Sequence, residues 1–122
     1  MLDVSVSTEH ATSAERRLFA RFVSRFPTKL KDSDEEYGQN FFLRDVSAGG
    51  ARIASRQRLF LEDFLSLNVE LPDSAEPVCL NGRVRWVRNH TANVWEAGME
   101  FHRVDLMRVH RIMKYSAPGS GI

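Results

Sequence analysis

Hydrophobic and polar positions alternate with a period of two over much of the chain, a pattern typical of β-strands with one buried and one solvent-facing side. The clearest run is LSLNVEL, in which apolar residues at 65, 67, 69 and 71 alternate with polar ones until Pro72 ends it. Alternation from Val78 to Trp86 and from Trp95 to Phe101, on either side of the turn RNHTAN, predicts a hairpin. The same pattern assigns both tryptophans to buried positions.

Further strands are predicted earlier in the chain. The segment FVSRFPTKL (22–30) combines β-forming residues with one proline, which favours an edge strand or the first part of a strand. The polar segment 32–40 is predicted to be a loop, FFLRDV (41–46) a strand, SAGG a tight turn and ARIAS (51–55) another strand. About six short strands result.

One convincing helix is predicted, near the end of the chain. Asp105 can cap it, and its apolar face consists of Leu106, Val109, Ile112 and Met113. The predicted fold class is therefore mainly β, a small antiparallel six-stranded barrel closed by a C-terminal α-helix. The predicted domain organisation is a flexible leader at 1–14, a barrel domain at 15–115 and a disordered tail at 116–122.

Length and composition narrow the class of protein. A chain of 122 residues with 43% hydrophobic and 27% charged residues suits one small globular domain. No apolar run exceeds three residues, and the N-terminus lacks a signal-peptide pattern, so no membrane association and a cytoplasmic location are expected. The single cysteine, Cys79, excludes an intrachain disulfide.

Positive charge is concentrated in one segment although the net charge is only +1. Residues 16–31 carry six basic side chains and no acidic one, and 14 of the 17 basic residues are arginine. Arginine is the side chain that binds phosphate in a forked geometry, pairs with the O6/N7 edge of guanine and stacks on bases. The composition is therefore suggestive of such contacts but not specific for one ligand.

Motifs for catalysis are missing from the sequence. The four histidines have no metal-ligand spacing, and Ser47 has no GxSxG context. Neither GxGxxG nor a Walker pattern occurs. The protein is therefore expected not to be an enzyme, and no metal or cofactor is expected.

Two short segments carry the functional signal, RRLFARF (16–22) and RDVSAGG (44–50). Asp45 and Ser47 stand two residues apart at the end of a strand, where either side chain can bond to the backbone two residues on. The glycines that follow permit a positive φ and the close approach of another group. Taken alone, the second segment is a well-made turn.

The two segments together resemble the PilZ domain family, whose signature is RxxxR before the first strand and [D/N]xSxxG some 20 to 30 residues later. Arg17 and Arg21 supply the first part, and Asp45, Ser47 and Gly50 the second. The segments VRWVRN and AGMEF also resemble the late hairpin of the family. The resemblance extends over about residues 15–115.

The resemblance implies a six-stranded barrel that binds the bacterial second messenger cyclic di-GMP. In the implied site, Arg17 and Arg21 bind phosphate or guanine, and the Asp45 carboxylate accepts hydrogen bonds from guanine N1–H and the exocyclic amine. Ser47 donates to phosphate or to a base edge, and Gly50 keeps the turn open. A basic residue before RxxxR, here Arg16, implies that two stacked ligand molecules bind per chain.

The implied mode of action is that of an adaptor. The ligand orders the arginine segment, RRLFARF (16–22), against the barrel. The surface formed in this way signals to an unidentified effector protein in motility, pili, exopolysaccharide export or virulence. Two alternatives remain. One is a PilZ-like scaffold that acts without nucleotide, which the intact motifs disfavour. The other is an RNA- or single-strand-binding barrel that uses Trp86 or Trp95 for stacking, which the near-neutral charge and the predicted burial of both residues disfavour.

Overall fold

The computed structural model describes residues 21–73, 75–103 and 106–118. Within these residues the chain forms seven strands and one helix. The strands are β1 (Phe22–Leu30), β2 (Phe41–Val46), β3 (Gly50–Ser55), β4 (Phe64–Val69), β5 (Val78–Thr91), β6 (Val94–Phe101) and β7 (Ala117–Pro118), and the helix is α1 (Leu106–Met113).

Six of the described strands form a closed ring. Neighbouring strands pair antiparallel in the order β2, β3, β6, β5, β4, β1, and β1 pairs in addition with β2. The described part of the chain is therefore a six-stranded antiparallel barrel followed by a helix. This confirms the predicted fold class and the placement of FVSRFPTKL as a strand. The expectation of an edge strand was wrong, because β1 pairs with β2 on one side and β4 on the other.

The barrel interior holds one hydrophobic core. The alternating residues Leu65, Leu67 and Val69 of β4 all point into it, as the period-two pattern predicted. Val109 and Ile112 of α1 belong to the same buried cluster, and Met113 packs against it. Leu106, predicted for the same apolar face, is 63% exposed, so that part of the prediction was wrong. The amphipathic face of the helix thus covers the barrel interior, where it stabilises the closed arrangement by burying apolar area.

The hairpin of β5 and β6 departs from the prediction in two ways. The strands continue to Thr91 and from Val94, so the connecting turn is shorter than RNHTAN. In addition, Val84 pairs with Met99 while Trp86 pairs with Gly98, so Arg85 is an extra residue in β5. Such a β-bulge shifts the inward and outward alternation by one position.

The bulge decides where Trp86 lies. Trp86 is on the outer surface of the barrel with 38% of its area exposed, and Val87 packs against the core in its place. The predicted burial of Trp86 was therefore wrong, because the alternation counted from Val78 does not continue past Arg85.

The structure describes the first residues of the predicted tail but none of the predicted leader. Ala117 and Pro118, which fall inside the predicted tail, pair with Val23 and Phe22 of β1. The predicted leader 1–14, the helix-capping Asp105 and residues 119–122 lie outside the described residues. In the part of the chain that is described, no helix has the length and apolar character needed to span a membrane.

Candidate functional site

A β-bulge in β2 sets the orientation of Asp45. Leu43 pairs with Ile53 of β3, but the next pair is Asp45 with Arg52, so Arg44 is an extra residue. Leu43 and Val46 can then both point into the core, which leaves Asp45 on the outer side of the wall. Neighbouring side chains cover it, so that it is only 4% exposed.

Both carboxylate oxygens of Asp45 are paired with arginine. Arg21 Nη1 donates to Oδ1 at 2.7 Å, and Arg52 Nη2 lies 2.6 Å from Oδ2. Arg21 immediately precedes β1, which runs beside β2 with Val23 opposite Asp45. The fold therefore brings together two residues that were predicted from separate motifs to share a site.

Ser47 and Gly50 form the turn between β2 and β3. The backbone N–H of Ser47 donates to the carbonyl oxygen of Gly50 at 2.8 Å, and Ser47 Oγ lies 3.4 Å from the same oxygen. A Cβ at Gly50 would lie 2.4 Å from the backbone oxygen of Met99, so the pairing of β3 with β6 requires glycine there. The glycines of this turn thus serve the close approach rather than a positive φ, since among the described glycines only Gly38 has one (79°).

A row of paired residues crosses four strands beside this turn. Asp45 is opposite Arg52, Arg52 is opposite Gly98, and Gly98 is opposite Trp86. A Cβ at Gly98 would lie 2.0 Å from the indole Nε1 of Trp86, so the indole rests directly on the glycine. Gly98 thus provides the space that lets Trp86 lie along the outer wall.

The motif residues and Trp86 border the same concavity. An open pocket of about 250 Å³ is lined by Arg21, Ser47 and Gly50 on one side and by Arg85 and Trp86 on the other. Asp45 does not line it directly, because Arg21 and Arg52 cover the carboxylate. A larger cleft of about 540 Å³, which includes Tyr37 and Pro72, contains none of the predicted site residues.

A second carboxylate continues the charge network along the wall. Glu96 of β6 is buried and accepts a hydrogen bond of 2.7 Å from Arg88 Nε. Arg52 Nε and Arg44 Nη1 lie 3.8 and 3.9 Å from its other oxygen. Arg52 therefore bridges Asp45 and Glu96.

The network as a whole is positively charged. Arg52 Nε is buried and has no hydrogen-bond partner among the described residues. Four guanidinium groups and two carboxylates leave two positive charges on this part of the wall; the groups are those of Arg21, Arg44, Arg52, Arg88, Asp45 and Glu96. Such an excess favours an anionic ligand.

Arg85, the bulged residue of β5, has two acidic partners. Its Nε donates to Glu100 at 2.8 Å, and its Nη1 lies 3.0 Å from both carboxylate oxygens of Glu62. The hydrogen bonds that Arg85 donates to Glu100 and Glu62 raise the pKa of Arg85 above its usual value. Arg85 is therefore a permanent cation at the edge of the pocket.

Sequence reasoning found part of this site. Arg21, Asp45, Ser47 and Gly50 lie together as the resemblance implied, whereas Arg16 and Arg17 lie outside the described residues. The contributions of Arg52, Glu96 and Trp86 were missed. The glutamate between Trp95 and Ala97 in a mostly apolar strand was a signal that was available for Glu96. In the described ranges no cluster of three or more His, Cys, Asp or Glu residues is arranged to hold a metal ion.

The fold and the site define the chain as a small antiparallel β-barrel with an arginine–carboxylate network on its outer wall. Residues 15–116 match the family described as PilZ domain, and the chain belongs to that family. A comparison with curated protein sequences found no match.

The solved structures include a similar fold. The inhibitor of motility MotI/DgrA of Bacillus subtilis superposes with a TM-score of 0.59 at 15% sequence identity. The match covers 88% of the present chain but 54% of the other, so this chain spans about half the length of that protein. At this level of identity the likeness supports the fold.

Proposed function

We propose that the protein is a bacterial cyclic di-GMP receptor that acts as an adaptor for an effector protein. The observation that carries the proposal is the contact between Arg21 and Asp45, 2.7 Å apart, at the border of a pocket that also includes Ser47 and Gly50. These four residues come from two motifs separated in sequence. Membership of the PilZ family supports the identity of the ligand.

The carboxylate of Asp45 is suited to reading guanine. Its oxygens can accept from N1–H and the exocyclic amine, which are adjacent donors that adenine lacks. In the structure those oxygens accept from Arg21 and Arg52 instead. Guanine would therefore replace guanidinium groups at Asp45, and the released arginines would face O6, N7 or phosphate.

The far side of the pocket suits a second base. Trp86 presents a partly exposed indole next to the cation Arg85, and an indole is a good stacking surface for a purine. We assign Arg16 and Arg17 to the ligand as well, from the motif alone. With Arg16 present, the proposed stoichiometry is two stacked ligand molecules per chain.

The proposed output is a change in the arginine segment. Ligand phosphates bind Arg16 and Arg17 and draw Arg21 away from Asp45, and the rearranged segment forms part of a surface for the effector protein. The proposed role is binding and signalling without catalysis, in the cytoplasm. Motility, pili, exopolysaccharide export and virulence are the candidate processes.

Isothermal titration calorimetry tests the proposal directly. Cyclic di-GMP is titrated into the wild type, Arg17→Ala and Asp45→Ala, with cyclic di-AMP as control ligand and Asp34→Ala as matched control variant, because Asp34 is exposed in the loop before β2. We expect about two ligands per chain for the wild type and Asp34→Ala, and loss of binding in the other two variants. Absence of binding to the wild type would instead favour the nucleotide-independent scaffold.

The exposure of Trp86 gives the nucleic-acid alternative one supporting observation. The predicted burial of this residue was an argument against a stacking role, and that argument no longer applies. Filter binding of single-stranded RNA over a salt series distinguishes the alternatives. A nucleic-acid-binding barrel would show a steep salt dependence and no competition by cyclic di-GMP, whereas the proposed receptor would show weak RNA binding at all salt concentrations.

A further inference from the structure

Arg52 stands between two buried carboxylates but makes a short contact with one of them only. Its Nη2 lies 2.6 Å from Asp45 Oδ2, whereas its Nε lies 3.8 Å from Glu96 Oε2, beyond hydrogen-bonding distance. The Nε atom is buried and has no hydrogen-bond partner among the residues that the structure describes. Arg52 therefore pairs with Asp45 while one of its own donors stays unsatisfied.

A second position of the Arg52 guanidinium would satisfy this donor. A buried N–H without an acceptor is unfavourable, because it has lost its hydrogen bonds to water and gained none in return. A shift of the guanidinium by about 1 Å toward Glu96 would bring Nε to an ordinary N–H···O distance from Oε2. Glu96 is thus an alternative partner for Arg52.

Arg88 holds the Glu96 carboxylate ready for this contact. Its Nε and Nη2 lie 2.7 and 2.5 Å from Oε1, so Arg88 occupies the oxygen that is further from Arg52. Arg44 Nη1 lies 3.9 Å from Oε2, the oxygen that Arg52 would use. A carboxylate oxygen has two lone pairs, so Oε2 can accept from Arg52 even if Arg44 approaches as well.

The strand register confines the change to side chains. Arg52 of β3 is opposite Asp45 of β2 on one side and Gly98 of β6 on the other. Glu96 is two residues from Gly98 and so belongs to the same face of β6. Since the Arg52 side chain is 38% exposed, side-chain rotation has the room to carry its guanidinium from Asp45 to Glu96.

Guanine at Asp45 would bring about this rotation. Under the proposed function, N1–H and the exocyclic amine of guanine take the oxygens that Arg21 and Arg52 hold in the structure. Arg52 then loses its short contact with Asp45. The hydrogen bond from its Nε to Glu96 would compensate for that loss, and its Nη groups would be available to the ligand.

We propose that Glu96 is a positioning residue of the nucleotide site and that it acts through Arg52. Without nucleotide Arg52 pairs with Asp45, and with guanine at Asp45 it pairs with Glu96 through Nε. Glu96 thereby allows Asp45 to exchange an arginine for a base. The proposal rests on the proposed function, and neither Arg52 nor Glu96 belongs to the two sequence motifs.

Nuclear magnetic resonance of the arginine Nε–H groups tests the two positions. The Arg52 signal is assigned by its loss in Arg52→Lys. We expect saturating cyclic di-GMP to move this signal downfield in the wild type, because the proton then bonds a carboxylate, and to move it much less in Glu96→Gln. A signal that does not move in the liganded wild type would overturn the proposal.

The second position can also be tested without nucleotide. Asp45→Ala removes the competing carboxylate, so we expect the Arg52 signal of the ligand-free variant to move downfield, and to return in Asp45→Ala/Glu96→Gln. Asp34→Ala is the matched control and should give the wild-type signal, and Asp45→Ser replaces Asp45→Ala if the latter does not fold in circular dichroism. A wild-type signal in the folded Asp45 variant would mean that Arg52 has no second position at Glu96.

Isothermal titration calorimetry measures what Glu96 contributes to binding. We expect cyclic di-GMP affinity to fall at least fivefold in Glu96→Gln and to stay unchanged in Glu70→Gln, the matched control, whose glutamate is exposed just after β4. In an Arg52→Ala background, Glu96→Gln should cause little further loss, because the group through which Glu96 acts is gone. Equal losses in both backgrounds would overturn the proposal, since Glu96 would then act without Arg52.

The two arms separate this proposal from the proposed function. If cyclic di-GMP does not bind the wild type, the proposed function fails, and the response of Arg52 to nucleotide fails with it. The ligand-free spectra of the wild type and Asp45→Ala still decide whether Arg52 exchanges between the two carboxylates. Binding to the wild type with an unmoved Arg52 signal would refute the positioning role alone.

Discussion

The guanidinium of Arg21 donates a hydrogen bond of 2.7 Å to the carboxylate of Asp45, a residue 24 positions further along the chain. The arginine side chain is about half exposed while the carboxylate is almost fully covered. Removal of the arginines that pair with Asp45 would leave a buried carboxylate without a compensating charge, which is costly. A ligand that offers its own donors to Asp45 satisfies the carboxylate in place of Arg21, so the exchange avoids that cost.

Asp45→Asn tests whether the two oxygens of Asp45 act as a paired acceptor. The amide keeps the size of the carboxylate but replaces one acceptor with a donor, which opposes the donors of guanine. We expect cyclic di-GMP affinity to fall by tenfold or more in isothermal titration, with the folded state retained in circular dichroism. Asp34→Asn is the matched control and should bind as the wild type. Unchanged affinity in Asp45→Asn would remove Asp45 from the proposed contact.

Ile112→Ala tests the role of α1 as the cover of the barrel core. Ile112 is fully buried in the cluster formed by the barrel strands, so its truncation removes apolar contacts and leaves a cavity. We expect the free energy of unfolding to decrease by about 2 to 4 kcal/mol in urea denaturation. Leu106→Ala on the exposed side of the same helix should change it by less than about 0.5 kcal/mol. Equal effects in the two variants would mean that the helix does not bury one defined face.

Glu96→Gln tests whether the buried carboxylate organises the arginines around it. The substitution preserves size but leaves Arg44 and Arg88 without a compensating negative charge and Arg52 with Asp45 alone. We expect a loss of about 1 to 3 kcal/mol in the free energy of unfolding, measured in urea at low salt.

The matched control for Glu96→Gln is Glu100→Gln, because Glu100 is exposed and pairs with a single arginine. It should change the free energy by no more than about 1 kcal/mol. The loss in Glu96→Gln should also shrink as salt is added, since screening weakens the repulsion among arginines. A loss independent of salt would point to packing alone.

Period-two patterning was sufficient to predict the barrel, because strands with one wet and one buried face have to alternate. The β4 strand shows this best, since Leu65, Leu67 and Val69 point inward as the sequence indicated. The pattern failed at Arg44 and Arg85, where one extra residue reverses the alternation. A bulge leaves no distinct compositional signal, so its position emerged only from the strand register.

The candidate site likewise contains residues that the sequence motifs identify and residues that only the strand register brings together. Motif spacing identified Arg21, Asp45, Ser47 and Gly50, because these positions belong to short segments with a recognisable order. Sequence could not identify Arg52 or Trp86, since their places in the site depend on which residues face each other across β2, β3, β6 and β5. Arg52 lies opposite Gly98, which is 46 positions further along the chain, and Gly98 lies opposite Trp86, 12 positions earlier. Such neighbours can be identified only from the strand register.

Trp86 and Gly98 provide a test of the far side of the pocket. The indole rests on Gly98, so Gly98→Ala would place a methyl group 2.0 Å from Nε1 and force the ring to move. Base stacking on an aromatic side chain contributes about 1 to 3 kcal/mol per base. We therefore expect Trp86→Ala and Gly98→Ala each to weaken cyclic di-GMP binding by about fivefold or more.

Fluorescence can separate displacement of the indole from unfolding. In a Trp95→Phe background, Trp86 is the sole tryptophan, so its emission reports the pocket alone. We expect ligand to quench this emission, and Gly98→Ala to shift the unliganded spectrum to longer wavelength while the protein stays folded. The Trp95→Phe variant itself should bind with wild-type affinity, because Trp95 stacks with Arg58 outside the pocket. Normal affinity and an unshifted spectrum in Gly98→Ala would show that the Trp86 ring does not form part of the nucleotide site.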